Sequence, residues 1–221
     1  MAVIWIVGDS TVEDNQPPFR GWGWALPQYV REGVRVRNIA LSGRSSRSFR
    51  EEGLFEPALQ EMAAGDLLLI QFGHNDEKTD ERHTDPDTTY KEELWRYCEA
   101  ALARGAQPVL FTPVSRRWFE DGGLRDTHGP YPQAVRELAA EKGVPLCDLY
   151  ADSRALLLSL GEEKAAELFV RLQPRENPDF PEGHNDKTHF NADGAKAICA
   201  LVVRELSAHP VCSAFLGDAY V

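Results

Sequence analysis

A serine, a histidine and an aspartate in this chain have the types and settings that acyl transfer requires. Ser10 stands in Gly8-Asp9-Ser10-Thr11, and His189 closes Asp186-Lys187-Thr188-His189. A serine hydroxyl is a poor nucleophile at neutral pH and needs a base within hydrogen-bond reach. His189 is the candidate base, taking the Ser10 proton and returning it to a departing hydroxyl. Asp186, three residues earlier, is the candidate for holding the imidazole tautomer and stabilising its cation. Two more segments stand out: Asn38-Ile39-Ala40-Leu41-Ser42-Gly43-Arg44 and Gly73-His74-Asn75-Asp76. Read singly, these motifs are weak, because Gly, Asp and Ser are ordinary turn formers. A different chemistry also stays open at this point. His184, Asp186 and His189, with His74 and Asp76, have the types that ligate a divalent ion. That reading gives Ser10 and Gly43 no role.

The elements around the motifs decide whether they can meet. Short β-rich runs at residues 3–7, 34–39, 67–70, 109–111 and 144–149 alternate with segments of helical period. That alternation predicts an α/β fold with a parallel sheet covered on both faces. Val3-Ile4-Trp5-Ile6-Val7 is apolar throughout, as in a strand buried on both sides. The arginines of residues 34–39 mark an edge strand with one wet face. Helices are expected at 56–64, 86–104, 130–142, 153–161, 162–170 and 192–208. The third of these ends at Lys142-Gly143, a helix stop signal. Three of the four motifs directly follow a strand. Parallel strands end at one edge of the sheet, so Ser10, Gly43 and Asn75 are delivered to one cleft. Two long loops, 15–23 and 115–129, also follow strands.

Composition bounds the function classes. The chain has 221 residues, 43% apolar and 27% charged, near globular averages. The pattern reads as a single domain over residues 1–221. The formal net charge of −11 disfavours a nucleic-acid partner, which needs a basic face. No run approaches the roughly 18 apolar residues of a membrane span. Cys98, Cys147, Cys199 and Cys212 form no C-x-x-C pair and read as buried thiols. The N-terminus reads directly as the first strand, without a basic region and apolar signal core, which gives a cytoplasmic expectation. The apolar tail, residues 211–221, has two readings, packing on its own domain or on a partner.

The order GDS, then Gly, then GHND, then DxxH resembles the four blocks of the SGNH (GDSL-type) hydrolases. The forms GDST, LSGRSSRS, QFGHND and DKTHF are most similar to the rhamnogalacturonan acetylesterase branch. The resemblance spans residues 8–190. It implies a three-layer α/β/α sandwich, flavodoxin-like, with a five-stranded parallel sheet in the order 2-1-3-4-5. It implies Ser10, Asp186 and His189 as catalytic residues. The oxyanion of the tetrahedral intermediate would be received by the Ser10 N–H, the Gly43 N–H and the Asn75 amide. Each such donor is typically worth about 3–4 kcal/mol of barrier. No cofactor or metal is called for by this route.

The substrate it implies is an acetylated oligosaccharide of the rhamnogalacturonan or pectin type. Arg44 and Arg47 are candidates for receiving a uronate carboxylate, with surface salt bridging as their other reading. Trp22 and Trp24 are candidates for stacking on sugar rings, with packing as the alternative; Trp118 and Phe119 invite the same two readings. His74 is a candidate substrate contact, although orienting Asn75 is the favoured role for it and Asp76. Asp9 is expected to brace the nucleophile loop. His83, His128 and His209 carry no signal. The competing readings are a lipid-directed esterase or thioesterase, a metal-dependent hydrolase, and a non-catalytic sugar-binding module on the same architecture.

Overall fold

A computed structural model describes residues 2–220. Its strands are β1 (Val3–Gly8), β2 (Arg35–Asn38), β3 (Leu67–Gln71), β4 (Gln107–Phe111), β5 (Phe119–Glu120), β6 (Gly123–Leu124), β7 (Leu146–Cys147), β8 (Phe169–Leu172) and β9 (His184–Phe190). The helices are α1 (Ser46–Glu51), α2 (Glu56–Glu61), α3 (Thr89–Ala103), α4 (Tyr131–Lys142), α5 (Leu149–Ala165), α6 (Ala192–Ser207) and α7 (Pro210–Ser213). The central sheet is all parallel, in the order β2-β1-β3-β4-β7. Counted along the chain, that is the 2-1-3-4-5 order expected.

The apolar run of β1 is explained by what covers it. Ile4 and Ile6 pack with Leu67, Leu69 and Val109 into one core, closed by Ile198, Cys199 and Val202 of α6. Trp5 and Val7 face the opposite way, with Leu68, Ile70 and Leu110, against Leu94 and Cys98 of α3 and Val135 of α4. Successive strand residues point to opposite faces, so a strand between two helical layers must be apolar at every position. Each such side chain contributes about 1.5–3 kcal/mol on burial. The edge position of β2 accounts for its arginines: Arg37 lies 4.6 Å over the Trp5 ring and pairs with Glu61. All four cysteines are free and buried.

Two expected elements are redrawn. The fifth strand is only Leu146–Cys147, because the Asp148 side chain caps α5 by accepting from the Ala151 N–H. The helical pair 153–161 and 162–170 is one element broken at Gly161, where φ is 75°. The second helix then stops early. Phe169 and Val170 turn into β8, and Phe169 packs on Phe190 of β9 at 5.0 Å. Thus the Asp186-to-His189 segment is itself a strand, antiparallel to β8 and outside the central sheet. The C-terminal tail packs on its own chain as far as it is described: Leu216 bridges Val30, Gly217 N–H donates to Tyr29 O, and Tyr220 meets Tyr29. Its last residue, Val221, lies outside the described residues. No described helix is long and apolar enough to cross a membrane.

Candidate active site

The loop after β1 is fixed from beneath. Gly8 lies so close to β3 that a Cβ would stand 2.6 Å from the Gln71 carbonyl. Past it, Val12 N–H and Glu13 N–H both donate to Asp9 O, closing a tight turn with half-buried Ser10 on it. The buried Asp9 carboxylate accepts from Thr11 N–H (2.9 Å) and Thr11 Oγ1 (2.7 Å). Gln71 donates to Thr11 Oγ1 (2.8 Å), and the Trp22 indole N–H donates to Gln71 Oε1 (2.9 Å). Asp9 therefore braces the loop, as its place in the motif suggested. The brace extends to Gln71 and Trp22.

Ser10 Oγ lies 2.9 Å from His189 Nε2, across 179 residues of sequence. On the far side of the ring, His189 Nδ1 is 2.8 Å from Asp186 Oδ2. Asp186 also accepts from the Thr188 N–H (2.6 Å), the His189 N–H (2.9 Å) and His184 Nε2 (3.0 Å). Burial raises the Asp186 carboxyl, but the hydrogen bonds and charge of His189 outweigh it and hold it well below the usual range. An ionised carboxylate can only accept, so Nδ1 carries the ring proton and Nε2 presents its lone pair to Ser10. That is the geometry of a base poised on a nucleophile.

Gly43 and Asn75 reach the same place on separate loops. Gly43 has φ 79°, a left-handed backbone that glycine adopts without penalty, and a Cβ there would meet nothing within 4 Å. Its loop is tied to the Ser10 loop by Glu13, whose carboxylate accepts from Ser42 N–H (2.7 Å) and Ser42 Oγ. Asn75 Nδ2 gives one hydrogen to Arg44 O (3.0 Å), while Arg82 reaches Asn75 Oδ1 (3.3 Å). Asp76 locks the two loops together, accepting from Ser46 N–H, Ser46 Oγ (2.5 Å) and Thr84 Oγ1 (2.9 Å). Burial pushes its carboxyl up to about 7 despite those bonds. Among the described residues, neither the Ser10 N–H nor the Gly43 N–H has a protein acceptor, and the second Asn75 amide hydrogen has none.

A cleft of about 430 Å³ opens beside His189. Its walls are Asn15, Phe19 and neighbours from the 15–23 loop, Ser42, and Asn177, Asp179 and Phe180 from residues 173–183. The Phe19 ring stands edge-on to His189 at 5.8 Å. None of the five candidate substrate contacts lines this cleft. Trp22 is fully buried, packed 5.6 Å from Phe111, because its N–H finds a partner in Gln71. His74 is buried 3.5 Å from Asp9, where burial lowers it to about 4. Trp24 lies between Arg20 and Lys196. Arg44 is held by Glu52 and Ser42 O, and Arg47 donates to Glu81 O.

Several site residues carried no sequence signal. His128 is buried, its ring 4.6 Å from that of His74; its Nε2 donates to Val114 O and its Nδ1 meets Glu77 at 2.9 Å. The 173–183 loop was marked only by Pro174, Pro178, Pro181 and Gly183. The alternative metal reading finds no support in the geometry. His184 and His189 both engage Asp186, while Asp76 is occupied by Ser46 and Thr84, and no three such side chains among the described residues are placed to hold an ion.

The model of the GDSL-like Lipase/Acylhydrolase family matches residues 6–197. The chain is 43% identical over 203 residues to rhamnogalacturonan acetylesterase RhgT of Bacillus subtilis (strain 168), covering 90% of this chain and 87% of that one. It is 38% identical over 205 residues to the probable rhamnogalacturonan acetylesterase YesY of the same organism, covering 91% and 90%. Among solved structures, the Bacillus subtilis protein YxiM superposes with a TM-score of 0.81 at 30% identity, over 94% of this chain. The present chain spans 56% of that protein's length.

Proposed function

The chain belongs to the GDSL-like lipase/acylhydrolase family, and from that premise we propose a serine acetylesterase that deacetylates carbohydrate, with rhamnogalacturonan-type oligosaccharides as substrates. Residues 1–221 act as one hydrolase domain. Ser10 Oγ attacks the acetyl carbonyl as His189 Nε2 takes its proton. The tetrahedral oxyanion is received by the Ser10 N–H, the Gly43 N–H and the Asn75 amide. His189 gives the proton to the sugar oxygen as its bond to the acetyl carbon breaks, leaving acetyl-Ser10 and a free sugar hydroxyl, and then activates water to release acetate. Asp186 holds the ring in the required tautomer throughout and stabilises its cation.

The observation that carries this reading is the continuous Ser10–His189–Asp186 hydrogen-bond chain at a cleft, with three donors on the neighbouring loops that have no acceptor among the described residues. The cleft's polar, proline and phenylalanine walls offer no aliphatic tunnel for a long acyl chain, which favours acetyl over lipid esters. The acetylesterase names of the relatives support the carbohydrate class. The test is acetate release from acetylated rhamnogalacturonan, xylan and cephalosporin-type substrates, with Ser10→Ala alongside. Release that is fastest on rhamnogalacturonan and absent in the variant is expected. Turnover that rises steeply from acetyl to octanoyl esters, or that survives in Ser10→Ala, overturns it.

A further inference from the structure

A second cleft, of about 400 Å³, is lined in part by Glu77, Lys78, Arg116, Trp118 and Arg125. Glu77 and Lys78 directly follow the Asn75-Asp76 pair in sequence. The opposite wall is fastened to β9: Arg117 N–H donates to Lys187 O (2.8 Å), and Arg117 Nη2 donates to Asp186 O (3.0 Å). Trp118 is therefore carried by a segment tied to the strand that bears Asp186 and His189. The cleft stands between that strand and the Asn75 loop.

Its charge is distinctive. The two carboxylates at the cleft are already satisfied from within. Glu77 is bracketed by Arg116 and His128, and Asp126 accepts from Tyr150 OH (2.8 Å), His128 N–H and Gly129 N–H. Burial raises both carboxyls, yet the bonds from His128 and Tyr150 outweigh it and both are lowered. Around them, Lys78, Arg125 and Lys187 are exposed and, among the described residues, pair with no carboxylate. Lys187 Nζ and the Arg125 guanidinium approach the Trp118 ring at 4.4 and 5.4 Å, and the indole remains 38% exposed. On a chain of net charge −11, three unpaired cations around one exposed tryptophan form a local field that attracts an anion.

Building on the carbohydrate-esterase reading, we propose that this cleft is a subsite for a carboxylate-bearing ring of the acidic oligosaccharide whose acetyl group is removed at Ser10. Arg125 and Lys78 receive the carboxylate, and Trp118 offers an aromatic wall to the apolar face of the sugar. A neutral acetylated chain fits the acetyl cleft but gains nothing here. Trp118, one of two tryptophan-bearing loops the sequence offered as sugar platforms, is thus the one placed to act as such, while Trp22 is core.

The test is binding, measured by calorimetric titration with unacetylated trigalacturonate and with xylotriose. Neither probe carries an ester, so failure of the esterase reading appears separately, as absent acetate release. The wild-type protein is expected to prefer trigalacturonate at least about tenfold, less so at high salt. The charge-only pair Arg125→Gln with Lys78→Gln, and separately Trp118→Ala, is expected to weaken trigalacturonate about tenfold or more. All three side chains are exposed, so melting midpoints close to wild type are expected. No binding of trigalacturonate, equal binding of the two sugars, or unchanged affinity in both variants overturns the proposal.

Discussion

Replacing Asn75 by alanine separates a charge-stabilising role from a structural one. The side-chain amide has two hydrogens; one is given to Arg44 O at 3.0 Å, and the other has no acceptor among the described residues. If the second meets the oxyanion, its loss removes about 3–4 kcal/mol from the transition state alone, which is about 10²–10³ in kcat. The ground state loses two ordinary hydrogen bonds, to Arg44 O and from Arg82. Those are worth about 1 kcal/mol each in stability. For a chain of this size that amounts to a fall of about 4–8 °C in melting midpoint. Initial rates on 4-nitrophenyl acetate over a range of concentrations, with a thermal melt of the same preparation, resolve the two. The expected outcome is a kcat lower by about 10²–10³ with KM changed less than about threefold. A kcat within about fivefold of wild type, or a raised KM at unchanged kcat, refutes the assignment of the amide to the oxyanion.

Asp186→Asn keeps the shape of the 2.8 Å contact with His189 but offers an amide donor to Nδ1, favouring the wrong tautomer. A kcat about 10⁴-fold lower on 4-nitrophenyl acetate is expected, and a loss under tenfold contradicts the role. Asp76→Asn has a pH signature. The folded-state carboxyl titrates near 7, above its ordinary 3.8, so the folded protein holds a proton that the unfolded chain has released across that window. Its contribution to stability is therefore fully present below about 4, falls as pH rises to about 7, and is flat beyond. The melting midpoint of the asparagine variant, relative to wild type, should climb from pH 4 to pH 7. A difference that does not change with pH refutes the buried-carboxyl account.

Much of the frame is legible in the sequence because it depends on local period. The all-apolar β1, the arginine-bearing β2 and the α6 face of Ala195, Ile198, Cys199, Val202, Val203 and Leu206 each declare their burial in a few consecutive residues. Motif order places Ser10, Gly43 and Asn75 at one sheet edge for the same reason. What supports them is set by long-range pairing and is invisible to a window. Glu13 has meaning only once Ser42 stands beside it, and Gln71 only between Thr11 and Trp22. Trp22 and Trp118 look alike as loop tryptophans; the first is buried because Gln71 accepts its N–H, the second is exposed. Residues 162–170 carried helical spacing, but the burial of Phe169 against Phe190 takes precedence over that local preference. In doing so it builds the strand pair from which His189 reaches Ser10.

Covalent labelling shows whether Ser10 is the nucleophile activated by His189. The protein is treated with a serine-directed phosphonate, and the modified peptide is identified by mass spectrometry as acetylesterase activity falls. One adduct per chain is expected, on Ser10, with labelling slowed greatly in His189→Ala. Complete inactivation with the adduct on another residue, or full activity with Ser10 labelled, contradicts it.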